Sequence, residues 1–188
     1  ECHRGVRRVR EGATEVEPIA FITNPRVSDW EIGYPVGKLM SELQVHRRSV
    51  PIFQYEDAFE VGVEGSHVVG RGIHWTGDIA VERNNQTYLL GRKSDLILYE
   101  DRLYSTAPIE AQLEGEMGFR RIAIIQRVDG IRCFYDTADS NPDHDKIQSE
   151  VRKFLRSKGY NFRFEFTPVE NVPVDARHEW KIQRRELK

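Results

Sequence analysis

The chain has almost no cysteine. Its 188 residues hold two, Cys2 and Cys133, far apart. That excludes the disulfide framework of a small secreted domain and points to a reducing compartment. Long apolar runs are also missing. Nothing approaches the roughly 20 consecutive apolar residues a membrane helix needs, and the opening stretch ECHRGVRRVREG lacks the apolar centre of a secretory signal. Charge of one sign is not in excess: 28 Lys and Arg oppose 30 Asp and Glu, a formal net charge of −2, so there is no electrostatic case for a nucleic-acid partner. The basic clusters Arg7-Arg8 and Arg184-Arg185 have acidic neighbours and read as solvated faces. No internal repeat or low-complexity tract is present. His178 has no second histidine at the i, i+4 spacing of a helical metal site. Together these absences predict a soluble cytoplasmic protein with no membrane span and no nucleic-acid partner.

What is present is enough chain for a substantial core, in one large domain or two small ones. The first half reads as short strands broken by Gly and Pro: PIAFIT, ELQVHR, FEVGV, HVVG, DIAVE and TYLLG, with RNNQ as the turn between the last two. The segment VREGATEVEPIA (residues 9–20) is too small and polar for a core strand and too marked by Gly and Pro for a helix; by itself it reads as a surface loop. After Gly91 the character changes. DLILYE reads as a strand, and STAPIEAQLEGEM as a helix capped by Ser105 or Thr106 with Pro108 in its first turn. FRRIAIIQRVDGIRCFYD reads as a hairpin turning at Asp129-Gly130. In DHDKIQSEVRKFLRSKG, Ile147, Val151, Phe154 and Leu155 fall on one helical face, and Gly159 stands where a C-terminal cap belongs. NFRFEF puts Phe162, Phe164 and Phe166 on one face of a strand. The expected fold is α+β: a β-rich, barrel-like subdomain over 1–91, then a small mobile C-terminal α/β domain over 92–188 with a three-stranded sheet, a hairpin and flanking helices.

Three polar stretches carry candidate chemistry: GATEVEP at 12–18, HWTGDIAVERNNQTYLLGRKSDLI at 74–97, and PVDARHEWKIQRREL at 173–187, where Lys181 sits in a polar, mobile tail. Each is weak alone. Their order resembles the adenylate-forming superfamily of acyl-CoA synthetases, fatty-acyl-AMP ligases, adenylation domains and luciferases. The match runs through Gly12 to Glu15, Gly33-Tyr34-Pro35, Thr76-Gly77-Asp78, Gly91-Arg92 and Lys181, over almost the whole chain. GATEVEPIA, GRKS and the ending PVDARHEWK most resemble the fatty-acid-activating branch that includes β-lactone synthetases.

The resemblance implies an enzyme that joins a carboxylic acid, here a fatty acid, to the α-phosphate of ATP. Lys181 would face the charge that gathers on the reacting phosphate and acyl oxygens. Thr14 would hydrogen-bond the α-phosphate, and Glu15 would hold Mg²⁺, a hard cation that prefers oxygen. Gly12 would let the backbone approach the nucleotide. Asp78 would accept from both ribose hydroxyls and Arg92 would donate to the same ribose. The family's phosphate-binding loop is not among these residues, so a second polypeptide is expected to carry it. Some positions depart from the family. Glu11 replaces an aromatic residue that would stack on adenine, Ser94 stands at the hinge position, Glu179 stands where the lactone branch often has Asn, and Asp101 replaces the glycine of thioester-forming members. Two other readings stay open: a non-catalytic relative acting as an interaction or regulatory module, and a stand-alone ferredoxin-like binding domain over 92–188.

Overall fold

The computed structural model describes residues 8–13, 16–23, 32–39, 44–64, 72–137, 139, 141–174 and 182–187. They fall into two compact units, Glu1–Leu96 with Glu100–Pro108, and Ile97–Tyr99 with Ile109–Lys188.

The first unit is an antiparallel sheet of seven strands: β1 (Arg8–Ala13), β2 (Val16–Thr23), β3 (Tyr34–Leu39), β4 (Gln44–Ser49), β5 (Phe59–Glu64), β6 (His74–Arg83) and β7 (Gln86–Arg92). Their order is β1-β2-β3-β7-β6-β5-β4. The barrel-like expectation is therefore corrected: among the described residues the sheet is open, with β1 and β4 at its ends. Arg47, Arg48 and Ser49 are exposed along β4, and charge on an edge strand opposes further pairing. The described residues of the segment expected to be a loop, 9–13 and 16–20, instead lie in β1 and β2, which pair from Arg8 opposite Thr23 to Ala13 opposite Val16. The apolar run in β2 needs a ladder partner, and an edge strand can be polar. The unforeseen β3 begins beside Gly33 and Pro35, which look like breakers. Pro35 is tolerated because the register shifts between Pro35 and Gly37. The expected strand HVVG lies outside the described residues.

The RNNQ turn forms as read. Asn84 and Asn85 have φ 52° and 60°, the pair of left-handed residues that a type I′ hairpin requires. Val50, Ile52, Ala58, Ile79, Val81, Tyr88 and Leu90 make the core of this unit, with Ile32, Tyr55, Leu96 and Leu103 against it. Each fully buried aliphatic side chain contributes about 1.5–3 kcal/mol.

Between Tyr99 and Arg102 the chain turns through Glu100 and Asp101, both left-handed at φ 48° and 59°. The short strands β8 (Ile97–Tyr99) and β9 (Arg102–Tyr104) flank this turn. The mixed α+β character expected for the chain is completed by α1 (Ala107–Met117), β10 (Phe119–Arg127), β11 (Gly130–Thr137), α2 (His144–Ser157) and β12 (Phe164–Pro168). β10 and β11 are antiparallel and β12 runs parallel to β11. The hairpin turns at Val128-Asp129, one residue earlier than expected, because Gly130 (φ 148°) already pairs with Arg127.

In the second unit α1 seals the free edge of β10. Glu110 accepts from the Ile124 N–H at 2.7 Å and Glu114 from the Ile122 N–H at 3.1 Å. The spacing works because four helical residues rise about 6 Å, close to the roughly 6.8 Å of two strand residues. Further along, the Gln126 amide accepts from the Leu98 N–H and donates to its carbonyl, at 2.8 and 3.0 Å. The α2 helix starts on Asp143, which accepts from Lys146 N–H. It ends in a Schellman motif, with Tyr160 N–H on Leu155 O and Gly159 N–H on Arg156 O. Phe162, Phe164 and Phe166 follow as a ring series with centroids 5.4 and 6.0 Å apart. Ala123, Ile125, Phe134, Val172 and Leu187 form a core that the chain's last segment helps to close. No helix among the described residues is long and apolar enough to cross a membrane.

Candidate functional site

Three of the motif segments lie on neighbouring strands. Gly33-Tyr34-Pro35 leads into β3, Gly91-Arg92 ends β7, and Thr76-Gly77-Asp78 lies in β6. Tyr34 pairs with Leu89, and Asp78 with Arg92. A side chain on Gly33 would place its Cβ 2.5 Å from the Leu89 carbonyl oxygen, so only glycine permits this approach. Arg92 Nε lies 3.3 Å from Asp78 Oδ1, with Asp78 nearly buried and Arg92 about half exposed. Thr76 fixes the turn before Asp78. Its hydroxyl donates to the Val61 carbonyl and accepts from the Asp78 N–H, both at 3.1 Å. Gly77 is left-handed at φ 77° with open space where a Cβ would stand, so its requirement is conformational. The result is a nearly buried carboxylate acceptor beside a half-exposed guanidinium donor, a pair of groups that can hydrogen-bond the two hydroxyls of a ribose.

Behind this pair lies a cluster that sequence reasoning missed. Glu60 on β5 is 3% exposed. Its Oε2 accepts from Arg48 Nε at 3.0 Å, Arg48 Nη2 at 2.6 Å and Lys93 Nζ at 3.0 Å. The Arg48 guanidinium also lies over the Trp75 ring, 4.2 Å from its centroid. Burial pushes the Glu60 carboxyl up, but hydrogen bonds and charge from Lys93 and Arg48 outweigh it, and the net shift is downward. Strand alternation in FEVGVE alone would leave Glu60 on a solvated face; both faces of β5 are in fact covered.

Of the remaining candidates, only Gly12 is among the described residues, and it is not brought to this pair. Gly12 lies on β1, where the register shifts between Glu11 and Ala13. That is three strands from β7, about 14 Å at ordinary strand spacing. Thr14, Glu15 and Lys181 lie outside the described residues, so the α-phosphate, Mg²⁺ and catalytic roles have no geometry here. Among the described residues no group of three or more His, Cys, Asp or Glu is arranged to hold a metal ion. The tail that follows Lys181 differs from expectation. Arg184, expected on a solvated face, has a side chain that is 13% exposed and donates to Glu110 Oε2 at 2.7 Å. Gln183 N–H bonds Pro173 O at 2.9 Å, Val174 and Ile182 form a β-bridge, and the Arg127 guanidinium donates to the Leu187 carbonyl. Residues 182–187 are thus fastened, because Glu110 already sits on the β10 edge and offers Arg184 a buried partner. Arg185 alone of the two is exposed. Asp101 has the left-handed backbone, φ 59°, that a glycine would favour.

No protein-family model matches the chain, and no curated protein matches it in sequence. Solved structures do match in fold. The amide bond synthetase McbA from Marinactinospora thermotolerans aligns with a TM-score of 0.71 at 20% identity, over 96% of this chain and 41% of that one. O-succinylbenzoate coenzyme A synthetase (MenE) from Bacillus subtilis, in complex with AMP, gives 0.69 at 18% identity, over 96% and 40%. The anthranilate CoA ligase AuaEII, in complex with anthranoyl-AMP, gives 0.66 at 16% identity, over 81% and 34%. The chain spans about two fifths of the length of the first two and about a third of the last. At these identities the likeness is one of fold: a mixed α+β chain, rich in sheet.

Proposed function

We propose that the chain is the C-terminal part of an ATP-dependent enzyme that activates a carboxylic acid as acyl-AMP. The observation that carries this reading is the Asp78–Arg92 pair, held in strand register at 3.3 Å in a fold similar to proteins solved with AMP and with anthranoyl-AMP. Asp78 accepts from the ribose hydroxyls and Arg92 donates to them, so the nucleotide is oriented before reaction. Lys181 supplies a cation where charge builds up between carboxylate and α-phosphate, and Thr14 a hydrogen bond to that phosphate. Glu15 would hold Mg²⁺, which would neutralise phosphate charge. Gly12 allows close backbone approach. We take the acid to be a fatty acid, and the branch to be that of the β-lactone synthetases, on the strength of GATEVEPIA, GRKS and PVDARHEWK. The phosphate-binding loop is supplied in this reading by another segment or a second polypeptide, and the reaction belongs to the cytoplasm.

The test is acyl-AMP formation by the chain assembled with that loop-bearing part, with a fatty acid and with an aromatic acid as alternative substrates. Lys181→Ala should lower the rate by roughly 10²–10³, the usual effect of losing one group that stabilises transition-state charge. Asp78→Ala should mainly raise the KM for ATP, because the ribose is held alike in ground and transition states. Full activity in Lys181→Ala, or one kinetic signature for both variants, would remove the catalytic reading and leave the non-catalytic one.

A further inference from the structure

The Asp78–Arg92 pair is flanked on both strands by residues tied to one buried carboxylate. Trp75 lies three residues before Asp78 on β6, and Arg48 is stacked over its ring at 4.2 Å. Lys93 directly follows Arg92. Arg48 and Lys93 both end on Glu60 Oε2, at 2.6 and 3.0 Å. The neighbouring residue on β5, Val61, accepts the Thr76 hydroxyl that in turn holds the Asp78 N–H. Two adjacent residues of β5 thus reach both arms of the site: Glu60 through Lys93 and Arg48, Val61 through Thr76. The chemistry favours a structural brace over a second ligand site. One carboxylate balances two cations, and their heads are about half exposed while Glu60 is 4% exposed at its side chain. The carboxylate can accept all three hydrogen bonds at once, and charged hydrogen bonds of this kind are short and directional.

We propose that Glu60 is the positioning residue of the ribose-binding pair, acting through Lys93, which directly follows β7, and through Arg48 on β4 and the Trp75 ring on β6. The inference rests on the reading of Asp78 and Arg92 as ribose ligands. Glu60 does not touch nucleotide. It sets the spacing and orientation of the two side chains that do, and so governs discrimination between a ribose and a sugar lacking one of the two hydroxyls.

The test titrates the full chain with AMP and with 2′-deoxy-AMP. The wild type should prefer AMP by about tenfold or more, the scale of one hydrogen bond to a charged group. Lys93→Met is the primary variant: Lys93 is half exposed, so the fold survives its loss. It should bring the preference close to one, and Lys93→Arg, which keeps the ion pair, should restore it. Glu60→Gln should behave like Lys93→Met, and the double variant should be no worse than either single one, since both remove the same brace. An unchanged AMP preference in Lys93→Met, or additive losses in the double variant, overturns the proposal. Asp78→Ala separates this from failure of the underlying reading. If the wild type shows no preference, or Asp78→Ala keeps it, the ribose assignment is wrong and the brace falls with it. If Asp78→Ala loses the preference while Lys93→Met keeps it, only the brace is wrong.

Discussion

Arg184→Met should be among the most damaging single substitutions in the second unit. Arg184 is only 13% exposed at its side chain and Glu110 only 1%, so screening by solvent is slight. Met keeps an unbranched apolar chain of similar reach, and the change isolates the guanidinium. What remains is a buried carboxylate facing the Ile124 N–H but without the cation at 2.7 Å. Removing one partner of such a pair typically costs about 3–5 kcal/mol, because the surviving charge is left in a poor dielectric. Against a total stability of roughly 5–15 kcal/mol that is a large share. With a urea slope of about 2 kcal/mol per molar, the midpoint should fall by about 1.5–2.5 M. Urea unfolding followed by far-ultraviolet circular dichroism would show it, with hydrogen exchange at the Ile124 amide as a local probe. The double variant Glu110→Gln, Arg184→Met removes both charges and keeps an acceptor for Ile124, so it should recover most of the loss. A midpoint within about 0.3 M of wild type for Arg184→Met, or a double variant as unstable as the single, would refute the reasoning.

Gly33→Ala should destabilise the β3–β7 junction by about 1–3 kcal/mol, because the new Cβ would lie 2.5 Å from the Leu89 carbonyl oxygen; a thermal midpoint equal to wild type would contradict this. Glu114 gives a pH dependence of definite sign. Burial raises its carboxyl above the ordinary value, opposed by Arg121 and the Ile122 N–H and assisted by the like charge of Glu110. A raised folded value means the folded state keeps its proton longer than the unfolded one, so stability falls as pH rises from about 4.3 through the folded value. Glu114→Gln should flatten that slope, and identical urea midpoints against pH for variant and wild type would exclude the effect.

How much of this was legible in the residues depended on whether the signal was local. The Asn84-Asn85 turn, the α2 helix with its Gly159 cap, and the Phe162-Phe164-Phe166 face depend on residues a few positions apart, and they form as read. Asp78 and Arg92 were found through short motifs and meet because the hairpin between them pairs them in register. Three of the misreadings, at Pro35, Glu60 and Arg184, involve partners far away in sequence. The 9–20 segment looked like a loop because nothing in it shows that β2 needs a ladder partner. Pro35 looked like a breaker because the register shift that tolerates it depends on β7. Glu60 lies 33 residues from Lys93, and Arg184 lies 74 from Glu110; no local pattern marks a charged residue as buried when its counter-charge is that remote. The Asp129-Gly130 reading failed differently. The dipeptide is a good turn signal, but Gly130 is used as the first residue of β11.

The fastening of residues 182–187 also changes how a catalytic role for Lys181 has to be conceived. On the proposed function, a lysine that acts in one step of each turnover is expected on a mobile tail. The chain immediately after it is bound by a buried ion pair, by the Val174–Ile182 bridge and by the burial of Leu187 in the core. Releasing that segment would cost the pair alone about 3–5 kcal/mol, before the lost burial of Leu187 and Ile182 is counted. A movement that must occur in every turnover, on the microsecond to millisecond scale of domain and lid motions, is better served by carrying the anchored segment along with the β10–β12 sheet than by unfastening it. On the proposed function, then, the fastening belongs to the catalytic apparatus. It lets the position of a lysine be set by a folded sheet instead of by a flexible strand, and electrostatic stabilisation is strongest where the charge is held in place in advance.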